Sequence, residues 1–156
     1  MKFLTAMTLL LLALNAAAQS HLEVQTTVQK QEVFVNAQGE EETRLVPADT
    51  VLPGETVFYT ITFTNVSNEV ADRVVITNPI DESLVYLDGS AFGAGMDIVF
   101  SVDGGETFAA ASELTVTEDG AARAAEPRDF THVRWVMRND FAAGAQGTAR
   151  FAAVLE

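Results

Sequence analysis

The sequence predicts an all-β fold, an antiparallel β-sandwich of about eight strands, on three observations. Apolar and polar residues alternate along the strand from Thr56: Val57, Tyr59, Ile61 and Phe63 fall on one face, Thr60, Thr62 and Thr64 on the other. Period-two alternation of β-branched and aromatic residues is what a half-buried strand requires. The same pattern returns late in the chain, with Val133, Trp135 and Met137 inward against His132, Arg134 and Arg138 outward, and with Ala149, Phe151, Ala153 and Leu155 on one face. Turn residues punctuate the chain at short intervals and no long segment keeps a helical period, which is the pattern of a sandwich.

Residues 1–18 read as a secretory signal peptide. Lys2 supplies the charged start, Phe3 to Leu14 an apolar stretch, and Ala16-Ala17-Ala18 a small-residue cleavage site. The apolar run is too short to span a bilayer comfortably. Cleavage leaves 138 residues beginning at Gln19, enough for one domain with its own core. The expected division is 1–18 signal peptide, 19–45 an N-terminal strand region packing on or extending the sandwich, and 46–156 the main domain. With no Cys in the chain, disulfides and lipid attachment through cysteine are excluded. Removing Lys2 with the leader leaves eight basic residues against 22 acidic ones, a net charge of −14. Such a charge argues against nucleic acid and anionic membrane surfaces as partners, and leaves divalent cations or basic partners open.

Each element follows from local chemistry. Leu22 to Val35 is strand-prone but polar, with Gln and Thr between Val24, Val28, Val33 and Val35. An Asn-Ala-Gln-Gly turn and the acidic Glu40-Glu41-Glu42 run follow, then a strand from Thr43 to Val46. The Pro53-Gly54 turn opens the strong strand at Thr56. Further strands are expected at Arg73–Thr77, Leu84–Leu87, Asp97–Val102, Leu114–Val116, His132–Met137 and Gly147–Leu155. Ala-rich stretches at Ala109–Ala111 and Ala121–Ala125 are expected to be loop or hairpin, because Gly120 and Pro127 break any helical period.

The segment PGETVFYTITFTNVSNEVADRVVITNPI, with its PGE turn, YTITFTN strand and VVITNPI strand, resembles the domain-of-unknown-function 11 family. The Leu84–Ala91 segment, FSVDGGETF and DFTHVRWVMRNDFAAGAQGTARFAAVLE are similar to small secreted relatives with one such domain. The resemblance runs from Val46 to Glu156. It implies an immunoglobulin-like module of bacterial surface proteins, and its motifs are turns and core positions rather than chemistry.

Candidate sites are few. Ser101-x-Asp103-x-Gly105-x-Thr107-Phe108 fits the Asp-box pattern, a hairpin in which Asp and Ser or Thr side chains bond the turn backbone. Asp103 and Glu106, or the Glu40–Glu42 run, offer hard oxygen ligands for calcium, although neither spacing matches a known calcium loop and solvated acidic loops are the ordinary reading. A mature chain starting Gln19-Ser20-His21 presents an amine, two amides and an imidazole, which suits Cu(II) or Ni(II) in a square plane; cyclisation of Gln19 would remove the amine. His132 has Asp129 and Asp140 within reach in sequence but no nucleophile signature beside it, so a surface or cross-strand role is expected. Trp135 is expected as a core anchor, and the Asn65-Val66-Ser67 sequon as a loop accident. Leu22 to Val35 is the segment expected to pair within its own sheet or to cross to a neighbour.

The expectation is therefore an exported, non-enzymatic structural or interaction module of a Gram-negative periplasm or cell surface, with strand edges open to self-association, no membrane insertion after cleavage and no cofactor. The alternative is a small periplasmic metal- or ligand-binding protein, using calcium at the acidic loops or copper or nickel at His21. Copper titration of the mature chain separates the two: a stoichiometric visible band at neutral pH that disappears in His21→Ala would favour the alternative, and equal spectra would remove it.

Overall fold

The computed structural model describes residues 21–156; the expected signal peptide and the start at Gln19 lie outside the described residues. The described residues are all-β, with 54% of them in strands and 4% in helix. Eleven strands are present rather than about eight: β1 (Leu22–Val35), β2 (Glu41–Pro47), β3 (Thr56–Asn65), β4 (Val75–Pro79), β5 (Leu84–Tyr86), β6 (Phe92–Gly93), β7 (Met96–Ser101), β8 (Thr115–Glu118), β9 (Ala121–Ala124), β10 (His132–Met137) and β11 (Gln146–Leu155). The larger sheet runs β2-β1-β3-β11-β5, with β6 also on β11; the smaller runs β4-β10-β7; β8 and β9 form a separate hairpin. Every pairing is antiparallel.

The strong alternating strand sits inside the larger sheet. β3 pairs β1 on one side and β11 on the other, and its inward residues Val57, Ile61 and Phe63 are buried. Tyr59 stacks on Phe151 of β11, with ring centroids 4.6 Å apart. From the smaller sheet, Ile76, Met96, Phe100, Val133 and Trp135 join Ile61, Phe63, Ala149, Phe151 and Ala153 in one apolar cluster. Trp135 is fully buried, as expected, and lies 6.1 Å from Phe151 across the core. Its Nε1 meets no acceptor among the described residues, so the indole contributes by packing alone. Small residues let the bulky ones in: a Cβ on Gly147 would lie 2.3 Å from Phe63 Cζ, so only glycine fits opposite that ring.

Departures from the expected strands have local causes. The strand expected at Arg73–Thr77 begins instead at Val75, because Arg73 takes φ +49° and interrupts the extended backbone. The brief strand expected at Leu114–Val116 is β8, and the Ala-rich segment after it is β9, joined through Asp119-Gly120. Arg123 fixes this hairpin: its guanidinium pairs Glu118 and reaches Asp129 with both terminal nitrogens, at 2.6 and 2.9 Å. Beyond the expected strands are β9, folded back on β8, and β6; β11 takes β5 and then β6 along one edge. Between them Ser90 Oγ both accepts from Ala152 N (2.9 Å) and donates to Ala152 O (3.1 Å), standing in for ladder bonds.

Side chains also close the turns. In the Leu52-Pro53-Gly54-Glu55 turn, Gly54 takes φ +89°, as the third position of a type II turn requires. Glu55 accepts from Leu52 N at 2.7 Å and from Lys30 Nζ at 3.1 Å, which holds its carboxyl below the usual carboxylate range. Tyr86, buried beside Phe100 and Phe130, accepts from Ala91 N through its hydroxyl at 3.0 Å.

Asn65 joins two loops. Its amide donates to the carbonyls of Glu69, Phe141 and Ala142 at 2.8–3.2 Å, and its oxygen accepts from Ser67 N and Ser67 Oγ. The residue is fully buried and its amide nitrogen is committed, so the sequon is a structural feature and no acceptor for glycan in the folded chain. Asn65→Ala removes a fully buried side chain and all its bonds to the two loops, although each carbonyl keeps a second donor (Ser67 Oγ on Glu69, Ala71 N on Phe141, Ala145 N on Ala142); it should cost roughly 2–3 kcal/mol, a large part of a typical domain's stability. Thermal denaturation should show a fall of about 10 °C, with Asn65→Asp, which places an anion against three carbonyls, no better than alanine.

Candidate functional site: the β1–β2 arm and the loop at Asp103

β1 is longer than the strand it packs beside. Its first nine residues pair β3, ending at Lys30 opposite Val57. From Gln31 to Val35 it pairs only β2, in register with Leu45 to Glu41. Those two stretches form a two-stranded ribbon that runs past β3. Val33, Val35 and Leu45 on the ribbon are 61%, 65% and 48% exposed, so neither sheet covers them.

An isolated two-stranded ribbon is marginal in water, and this one carries its own supports. Asn36 closes its tip: Oδ1 accepts from Gln38 N (3.0 Å) and Glu40 N (2.9 Å), while Nδ2 donates to Glu42 at 2.6 Å. Arg44 lies over the Phe34 ring at 4.5 Å and pairs Glu32 at 3.6 Å. Lys30–Glu55 ties the base of the ribbon to the turn before β3.

The hydrogen-bond phase identifies which groups face outward. Asn36 N donates to Glu40 O, and Ala48 N donates to Val28 O. With the register between these points unbroken, the backbone groups of Glu42, Arg44 and Val46 turn toward β1. Those of Glu41, Thr43 and Leu45 turn away, because bonded and non-bonded pairs alternate in an antiparallel ladder. No strand among the described residues pairs with that edge. Pro47, lacking an N–H, ends the row of outward donors.

Beside the ribbon lies a shallow trough of about 370 Å³ on the outer face of the larger sheet, bounded by Leu45, Phe58, Leu87 and Ala152 with Arg150 and Ser90 among its polar groups. Arg150 rests over the Phe92 ring at 4.7 Å.

The second cluster is the loop after β7. Ser101 Oγ donates to Asp103 at 2.6 Å and accepts from Gly105 N at 2.9 Å; the Asp103 carboxylate accepts from Glu106 N, Thr107 N and Thr107 Oγ1. This is the hairpin in which side chains bond the turn backbone, the geometry expected of the motif. These donors hold the Asp103 carboxyl far below the ordinary range, with the Ser101 hydroxyl foremost. The loop folds over the smaller sheet, where Phe108 meets the His132 ring edge-on at 6.4 Å and Arg134 lies over the Phe108 ring at 3.4 Å. Burial and the Arg134 charge lower the His132 pKa, outweighing Asp103.

The candidate ligands are dispersed. His21 is exposed, and its carbonyl accepts from Val66 N at 2.8 Å. Both oxygens of Asp103 are spent on the turn, while Glu106 points into solvent. Glu41 and Glu42 fall on opposite faces of β2, so the acidic run presents no common side. Among the described residues no three His, Asp or Glu side chains gather to hold a metal ion. Asp129, offered in sequence as a partner of His132, is held by Arg123.

Sequence reasoning missed Thr43, Arg44 and Leu45 as an open edge. The available signal was a mismatch: a 14-residue strand beside a 10-residue one must overhang, and the Asn-Ala-Gln-Gly turn returns the chain along the overhang.

Comparison with protein-family models, with curated proteins and with solved structures returned no match, and the functional argument rests on the geometry above.

Because its folded pKa lies below the unfolded value of about 3.9, Asp103 contributes stability that is present above that value and lost as pH falls toward the folded one. The melting-temperature difference between the natural chain and Asp103→Asn should therefore shrink as pH drops from 5 to 2. A difference constant across that range would contradict this account of the turn.

Proposed function

We propose that the chain is an exported, non-enzymatic interaction module of the immunoglobulin-like kind, akin to the domain-of-unknown-function 11 family, and that it works in the periplasm or at the cell surface by engaging protein through the β1–β2 arm. The observation that carries this reading is the ribbon past Lys30, with exposed Val33, Val35 and Leu45 and an unpaired backbone edge. An edge of this kind is a template for another strand, where main-chain bonds supply affinity and alternate side chains supply selectivity. Exposed valines on a two-stranded ribbon gain from being covered, because removing apolar area from water is favourable at about 25 cal/mol per Å².

Three further features support the reading. The chain's acidic balance suits a protein partner rather than nucleic acid. No helix among the described residues is long and apolar enough to cross a membrane. The Asp103 loop spends its polar side chains on building a turn, whereas the arm keeps outward backbone groups that no strand among the described residues pairs.

Light scattering across a concentration series tests the reading. The natural chain should increase in mean mass with concentration. A variant with Gln31–Leu45 replaced by an Asn-Gly turn should keep its thermal transition and stay monomeric, since the core cluster contains none of the excised residues. Equal assembly by the shortened chain would move the interaction to another surface.

A further inference from the structure

The open edge of β2 has one self-complementary register. In a two-fold pair of β2 strands whose axis passes through the sheet, each residue lies opposite one on the same face. Backbone bonds then form only if the axis falls on a residue whose N–H and C=O point outward. That leaves Glu41, Thr43 and Leu45. An axis at Glu41 sets that carboxylate against its own copy. An axis at Leu45 brings Pro47 opposite Thr43 and loses a donor. An axis at Thr43 has neither fault.

We infer that β2 pairs antiparallel with β2 of a second copy of this chain, with the two-fold axis at Thr43. This rests on the interaction-module reading above and names its partner, edge and register. Thr43 and its copy exchange both backbone bonds, and each Glu41 does the same with the other copy's Leu45, so all three outward donors are used. The neighbouring pairs set each Glu42 opposite the other copy's Arg44, on the face that carries Phe34 and Glu32. These are close-spaced positions in the ladder, and opposite charges there stabilise the pair. The two Glu40–Glu42 runs go to opposite ends of the interface, whereas a parallel pairing would stack them on each other. The result is one continuous sheet through both copies, with the edge closed.

The absence of cysteine makes the register directly readable. In the chain with Thr43→Cys, two Cα atoms would stand about 5.5 Å apart across the axis, within the range a disulfide spans. With Leu45→Cys the two sulfurs' backbones would be roughly 14 Å apart along the strands, four residues out of register. Mild oxidation should cross-link the Thr43→Cys chain at least tenfold faster than the Leu45→Cys or Glu41→Cys chains. Arg44→Glu should weaken association at least tenfold in sedimentation equilibrium, and adding Glu42→Arg should restore it, while the main thermal transition of the core, to which neither side chain belongs, stays in place.

A natural chain that assembles but cross-links fastest through Leu45→Cys, or that ignores Arg44→Glu, overturns this pairing and leaves the interaction-module reading standing. A chain that stays monomeric at every concentration and does not link through Thr43→Cys overturns the pairing and self-association together.

Discussion

The structure depends on β3 being flanked on both sides while one of its faces is sealed by a second sheet. β1 and β11 each run antiparallel to it over nearly its whole length. Its inner face carries Val57, Tyr59, Ile61 and Phe63, and its outer face threonines and Phe58. A slip of one residue would send that entire apolar set to solvent. This register locates everything else: it places Gly147 opposite Phe63, puts Phe151 on Tyr59, and brings Trp135 of the smaller sheet against Phe151.

Around that frame the loops are held less by apolar contact than by side chains that imitate backbone. Asn65 satisfies carbonyls from two loops, Ser90 fills the gap between β5 and β6, Glu55 closes the turn before β3, and Ser101 with Asp103 knits the loop over the smaller sheet. Local side-chain bonds of this kind explain how a chain without disulfides keeps long connections ordered. They also commit the polar side chains of Asn65, Ser101 and Asp103 to holding turns together.

The arm departs from this economy of satisfied groups in the larger sheet. Every other strand of the larger sheet has neighbours on both sides or is short, as β5 is, whereas β2 offers an outward row at Glu41, Thr43 and Leu45. Charged residues usually guard such edges against promiscuous pairing. On β2 the acids Glu41 and Glu42 lie to one side of Thr43 and Arg44 to the other, an order that opposes a parallel copy and suits the antiparallel one proposed above.

The fold class was legible in the sequence because strand alternation and turn chemistry are local. Val57 to Thr64, Val133 to Met137 and Ala149 to Leu155 announce their faces within a few residues, and Pro53-Gly54 and the Asp103 turn announce their bends. What lies between partners distant in sequence was not legible. Nothing near Asn65 signals that its amide reaches Phe141, and nothing near Arg73 signals its turned backbone. The strand number rose because Phe92–Gly93 finds room on β11 beyond β5 and Ala121–Ala124 folds back on β8, both matters of what packs beside them. Sequence alone determined that β1 would be a strand; tertiary structure decided that β3 would cover only its first part. The overhang left Thr43, Arg44 and Leu45 at an open edge, since a strand's exposure depends on the length of its neighbour rather than on its own residues.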